Sequence, residues 1–198
     1  MAIAIILYSL HEHIAALAEI EKEGVELNGI QCDIFQVPET FDADTVKELG
    51  GKPTNYPIAN REVLEKYDAF LLGIPTRFGN MPAQWSAFWD ATNTLWIKGS
   101  LHGKLAGVFV CTGSGGGNEN TIASAVTTLV HHGMIYVPLG YYNVMKKLSR
   151  MDKVKGGGPW GAGTISGPEG EREPSLIEKK IAREQGRKFG KIYWKTTH

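Results

Sequence analysis

Four short stretches of the chain are apolar almost without a break: Ala2 to Tyr8, Ala69 to Ile74, Leu105 to Cys111 and Met134 to Leu139. Bounded by Gly and Pro, runs of that length predict strands buried on both faces, as in a parallel sheet. A fifth stretch, Gln31 to Val37, is more polar and suits a sheet edge. Pro138 also suits an edge, because a central strand needs the N–H that proline lacks. Between the strands the period becomes helical. Ile122, Ala125, Val126, Leu129 and Val130 share one face, and Trp85, Phe88, Trp89, Thr92 and Trp96 share another. Pro82 opens this second helix, expected over 82–96, with Trp96 beyond its end. Ile14, Leu17, Ala18 and Val25 mark a first helix, and Ile177, Ile181, Phe189 and Ile192 a last one. The alternation predicts an α/β domain with a doubly wound, five-stranded parallel sheet, and the polar second strand at an edge gives the order 2-1-3-4-5. Ligands then belong at the carboxyl ends of strands one, three and four. Residues 38–68 are too long for a simple crossover. A surface insertion of about 38–60 is expected, with a short helix near Asp44 to Leu49 ahead of the crossover helix near Arg61 to Lys66.

A length of 198 residues fits one domain, 1–198, with a sizeable core. The 21 basic and 21 acidic residues cancel, so no basic excess exists to hold a phosphate backbone, and nucleic acid is not an expected partner. Cys32 and Cys111 both lie in apolar runs, which fits reduced thiols in a cytoplasmic protein, and no metal site can be built from them. The N-terminal apolar run stops after Tyr8 and has no basic flank, so neither a signal peptide nor a membrane span is expected; membrane association would be peripheral. The 24 glycines concentrate at 113–117 and in a loop of about 156–170.

Three loops should meet at one end of the sheet. The first is Ser9-Leu10-His11-Glu12-His13-Ile14, where a strand gives way to a helix N-terminus whose N–H groups and dipole favour an anion. It contains no lysine, so it is not a P-loop; a plain turn with Ser9 as helix cap is its structural alternative. Gly99 to Lys104 is one residue short of a P-loop, and the dinucleotide pattern G-x-G-x-x-G is absent. The second loop, Pro75 to Pro82, combines Thr76, Gly79 and Asn80, which suit a backbone bent around a planar ligand, with Arg77 and Phe78 at its margin. The third, Cys111-Thr112-Gly113-Ser114-Gly115-Gly116-Gly117-Asn118, allows backbone amides to approach a ligand closely, with a flexible linker as its structural alternative.

Together the segments IPTRFGNMPAQW, TLWIKGSLHGK, TGSGGGNE, TLVHHGMIYVPLGY and GGGPWGAGTISG resemble the WrbA-type NAD(P)H:quinone oxidoreductases, from Ile3 to about Gln185, with wording closest to fungal members. The resemblance implies a flavodoxin-like fold, FMN at the carboxyl edge of the sheet, a homotetramer, and two-electron reduction of quinones by NADH or NADPH in a ping-pong relay. Carried across, Ser9, Leu10, His11, Glu12, His13 and Ile14 match the FMN phosphate loop. Thr76, Arg77 and Phe78 match the lining of the flavin ring, and Cys111, Thr112, Gly113, Ser114, Gly115 and Gly116 the second flavin loop. His131 aligns with a flavin-site histidine. Trp96 aligns with an aromatic that stacks over the flavin from a neighbouring subunit. Two departures stand out. His11-Glu12 replaces the usual Tyr-Gly, and Asn93-Thr94 replaces the Gly-Gly before Leu-Trp. A carboxylate at about 6 Å from a phosphate, at an effective dielectric near 20, is repelled by roughly 3 kcal/mol per charge pair, so Glu12 is expected to weaken FMN binding.

Other readings compete for single residues. A histidine at the end of a helix, as at His131 and His132, commonly caps the last carbonyls. Trp85 and Trp89 are expected in a core or subunit interface. The charges of Glu178, Lys179, Lys180, Arg183 and Glu184 read as a solvated helix face. Trp160, Thr164 and Ile165 make the glycine-rich loop an ordered segment at an interface. At the level of function, the alternatives are a single-electron carrier, which zero net charge disfavours, and a scaffold or regulatory oligomer with a weakened flavin site.

Overall fold

The computed structural model describes residues 2–52 and 54–197. Strands β1 (Ala2–Leu7), β2 (Gln31–Gln36), β3 (Ala69–Pro75) and β4 (Leu105–Thr112) pair in parallel, with β5 (Ile135–Tyr136) beyond β4, in the order β2-β1-β3-β4-β5. Side chains alternate between faces. Ile3, Ile5 and Leu7 enter one core with α1 (His13–Glu26) and α8 (Leu176–Thr197), while Ala4, Ile6 and Tyr8 enter another, shared with α3 (Arg61–Lys66), α4 (Ala83–Asp90) and α6 (Asn118–His131). On the first face α1 and α8 pack backbone to backbone: a Cβ on Gly24 would lie 2.2 Å from the Arg183 carbonyl and one on Gly186 2.0 Å from that of Glu21. Glu21 is fully buried at this contact and neither carboxyl oxygen has a hydrogen-bond partner. Burial pushes its pKa well above the usual carboxylate range, which favours the protonated form.

The fifth strand differs from the single run expected at Met134 to Leu139. Only Ile135 and Tyr136 pair with β4, opposite Leu105 and Ala106, and a separate strand β6 (Gly163–Ile165) pairs with Val110 to Thr112. Pro138 has no N–H with which to continue the ladder, so the chain leaves the sheet, forms α7 (Met145–Leu148) and returns. The returning segment lies so close to the sheet that a Cβ on Gly161 would sit 2.0 Å from the Val108 carbonyl oxygen. The glycine-rich loop is therefore ordered.

The helix expected over 82–96 is also divided, into α4 and α5 (Asn93–Lys98), which places Trp96 inside a helix rather than beyond one. Thr92 explains the break: its N–H and hydroxyl both donate to the Trp89 carbonyl, at 2.9 and 2.6 Å, and take the acceptor that a continuing helix needs. The insertion carries α2 (Ala43–Glu48), capped by Asp42, which accepts from the Thr45 N–H at 2.7 Å. Lys104, the end of the near P-loop, donates to the carbonyls of Leu64, Glu65 and Tyr67 at 2.8 to 2.9 Å and so caps α3.

Candidate active site

At the carboxyl ends of β1, β3 and β4 the first loop contributes Ser9, Leu10, His11, His13 and Ile14 to one cleft, the second Pro75, Thr76 and Arg77, and the third Cys111, Thr112 and Gly113. Ser166, just after β6, completes the wall. Glu12 is absent from that lining. Its backbone is left-handed, with φ 64°, a conformation costing about 1 kcal/mol or more for a residue with a Cβ, so glycine is the natural occupant. Its carboxylate meets the Lys52 ammonium at 2.9 Å, on the outer side of the loop. The repulsion expected from Glu12 is thereby redirected.

The first loop is prepared for an anion. Glu12, at the N-cap position of α1, makes no side-chain cap bond; Ser9 caps from the loop instead, its hydroxyl accepting from the Ala15 N–H at 3.3 Å, and the His13 N–H donates to the His11 carbonyl at 2.8 Å. His13, the first helical residue, is 6% exposed and its Nε2 has no partner. A buried ring nitrogen without a partner at the first turn of a helix, where the dipole favours negative charge, fits an acceptor-rich group such as phosphate. His11 is drawn below the usual histidine range by burial, so it is neutral at pH 7.

The second loop turns through Arg77–Phe78–Gly79–Asn80, with Arg77 and Asn80 exchanging N–H···O bonds of 2.8 and 2.9 Å. Positive φ at both central residues, 54° and 75°, makes this a type I′ turn with a phenylalanine where Asn or Gly is usual. The strain holds a Phe78 ring that is fully exposed. The third loop is clamped to the second: Thr121 donates to the Thr76 hydroxyl at 2.6 Å and Asn120 to the Gly79 carbonyl at 2.9 Å. Gly117 has φ 87°, and a Cβ there would lie 2.9 Å from Gly79 Cα. Thr112 donates to the Gly116 carbonyl at 2.8 Å, which curls Ser114, Gly115 and Gly116 over the margin of the cleft rather than into its wall. Burial pushes the Cys111 thiol up to about 12, so Cys111 is an apolar wall and not a nucleophile.

His131 and Trp96 are not brought to this cleft. The helix α6 starts beside the cleft and runs away from it, so His131 at its end lies about 20 Å from the start at 1.5 Å per residue. There the Trp96 indole donates to the His131 carbonyl at 2.9 Å, making one exposed unit of the two residues. The single chain therefore does not bring His131 to the cleft, and a place at the flavin site would have to come from a neighbouring subunit. His132 packs on Trp89, with ring centroids 5.5 Å apart, and bonds Thr92 at 3.0 Å.

The residue that sequence reasoning missed is Glu178. It is not part of a solvated face but fully buried, accepting from both Arg172 Nη atoms (2.8 and 3.2 Å) and from the N–H groups of Gly156, Ile165 and Ser175 at 3.1, 3.3 and 2.7 Å. It ties the glycine-rich segment, β6 and the start of α8 together behind Ser166. The spacing Ser175-x-x-Glu178 is a capping box, a signal present in the sequence.

The NADPH-dependent FMN reductase family matches residues 6–148, well over half of the chain. The chain is 58% identical over 188 residues to "Protoplast secreted protein 2" of Saccharomyces cerevisiae, covering 94% of this chain and 95% of that protein. It is 54% identical to "NAD(P)H quinone oxidoreductase PST3" of Candida albicans, with 94% and 95% covered. Among solved structures, the WrbA-like flavodoxin of Agrobacterium tumefaciens superposes with a TM-score of 0.68 at 21% identity, covering 98% of this chain and 99% of that one, which shows the flavodoxin-like fold.

Proposed function

Because the chain belongs to the NADPH-dependent FMN reductase family, we propose that it is an FMN-dependent NAD(P)H:quinone oxidoreductase, reducing quinones to hydroquinones by two electrons. The observation that carries this reading is the buried, unpartnered His13 Nε2 at the first turn of α1, in a cleft walled by the same three loops that carry the resemblance in sequence. His13 and the first N–H groups of α1 would hold the phosphate. Thr76, the backbone of the third loop and the apolar Cys111 would flank the ring, with Arg77 and Phe78 at its edge. FMN, when bound, supplies hydride transfer from the nicotinamide to the quinone. The protein's part is placement and exclusion of water. NADH and NADPH both remain candidate donors.

Exposed apolar side chains support a homotetramer, proposed here with D2 symmetry. Phe78 stands at the cleft end, and Trp96, Ile97, Val130 and Ile135 stand out around α5 and the far end of α6. A neighbouring subunit can bring its Trp96–His131 unit to the cleft, which one chain alone cannot do. A soluble, cytoplasmic location is part of the proposal; among the described residues no helix is long and apolar enough to cross a membrane. The scaffold alternative rests on Glu12 facing a phosphate, and the Glu12–Lys52 pair weakens that argument. The test is NAD(P)H oxidation by purified protein with added FMN. Oxidation that requires both FMN and benzoquinone is expected; none above the protein-free rate would overturn the reading.

A further inference from the structure

Resting on the reading of the cleft as an FMN site, we propose that Lys52, forty residues away in the insertion, is a positioning residue that sets cofactor affinity by holding the Glu12 carboxylate out of the phosphate cradle. Three observations carry this. The cleft wall passes from His11 to His13 without Glu12, whose side chain makes no cap bond to α1. Glu12 Oε2 instead meets Lys52 Nζ at 2.9 Å. Lys52 is itself fixed: its N–H donates to the Leu10 carbonyl at 2.7 Å, and the Gly51 N–H donates to the Val46 carbonyl at 2.8 Å. Gly51 packs so tightly that a Cβ would lie 2.6 Å from Leu10 Cδ1 and 2.7 Å from Val46 Cγ1. The end of α2 is thus docked on the first loop, and the lysine is delivered by the fold.

The physical consequence follows from the helix. A helix N-terminus attracts any nearby anion through its dipole, and a carboxylate at the cap position is such an anion. Freed from Lys52, Glu12 would turn toward the N–H groups that the phosphate needs and would compete with it. Lys52 makes the side chain electrostatically neutral and keeps it outside. In a chain with glycine at position 12 the lysine would have nothing to restrain.

The test is a titration of FMN, read by quenching of flavin fluorescence at low salt, with the full chain, Lys52→Met, Glu12→Gly and the double variant. Lys52→Met is expected to weaken FMN about tenfold when Glu12 is present and less than twofold when residue 12 is glycine, with the difference shrinking in about 0.5 M salt. Lys52→Arg should stay within about twofold of the parent, and Lys52→Met should leave the urea midpoint of the apo-protein unchanged, because an exposed pair contributes little to folding, whereas Glu12→Gly should raise it in both backgrounds by relieving the left-handed backbone. Riboflavin, which lacks the phosphate, should not respond to Lys52→Met. Equal weakening in both backgrounds would make Lys52 a direct phosphate contact and overturn the proposal, as would no weakening in either or an equal response of riboflavin. If none of the proteins, Glu12→Gly included, quenches FMN, the cofactor reading fails and this proposal falls with it.

Discussion

Replacing Glu178 by alanine removes the carboxylate that accepts from five donors: two nitrogens of Arg172 and the N–H groups of Gly156, Ile165 and Ser175. Its side chain has no exposed surface, whereas that of Arg172 is 27% exposed and keeps the Ile165 and Val154 carbonyls as acceptors, so the cation left behind is partly satisfied and can recover some hydration. Breaking a buried ion pair by deleting one partner costs about 3–5 kcal/mol, and partial access of water to Arg172 favours the lower part of that range. Each buried N–H left without an acceptor adds about 1 kcal/mol or more, and Gly156 is the clearest such case. A total of about 4 kcal/mol is therefore expected. With a urea m-value of about 2 kcal/mol per molar, it appears as a fall of about 2 M in the unfolding midpoint. Glu178→Gln keeps an acceptor for some of these donors and should lose about half as much. Because Glu178 fastens the segment that ends in Ser166 at the cleft, the alanine variant should also lose FMN affinity under conditions where it is still folded. A change below about 1 kcal/mol, the scale of a surface charge, would refute the reasoning and return Glu178 to a solvated face.

Other expectations follow from single sites. The raised pKa of Glu21 means that its contribution to stability is fully present below the unfolded value, near 4.5, and is lost as pH rises through the folded value; Glu21→Leu should therefore gain on the parent in urea melts at pH 9 relative to pH 5, and a constant difference between the two pH values would contradict this. Phe78→Gly relieves a left-handed backbone and removes an exposed ring, so the melting temperature should rise, corresponding to about 1 kcal/mol, while quinone turnover falls; a lower melting temperature would show that the ring is packed in the assembly. Trp96→Ala and His131→Ala should each lower kcat/KM for quinone about tenfold, or 1.4 kcal/mol, with FMN still bound, and unchanged kinetics in both would leave them to packing.

The pattern of apolar runs shows the sheet order and both cores, because β3 and β4 are buried on both faces and carry no polar residue before Thr112 at the end of β4 to confuse the reading. It fails where one atom decides. Pro138 marks an edge, but nothing local shows that β6, arriving some 25 residues later, fills the rest of that edge. Thr92 breaks a helix through a hydroxyl whose partner depends on rotamer, and the helical period of the tryptophans runs straight across it. At the site, the three loops are legible because their residues lie together in the sequence. The Glu12–Lys52 and Arg172–Glu178 pairs are harder to read, since long-range charge pairing leaves no periodic trace. Treating the start of α8 as one charged face averages over Glu178, and only the capping-box spacing sets it apart. His131 is hard to read for a related reason: one chain puts it at the far end of α6, so a role at the cleft needs a neighbouring subunit.

The most direct test of the central claim is initial-rate kinetics with saturating FMN, varying NADPH at several fixed concentrations of benzoquinone and repeating the series with NADH. If both substrates use the one cleft in turn, the double-reciprocal plots are parallel lines, and the rate disappears when FMN is dialysed away. Intersecting lines would require both substrates to be bound at once, and a rate that is absent or independent of FMN would contradict the account altogether.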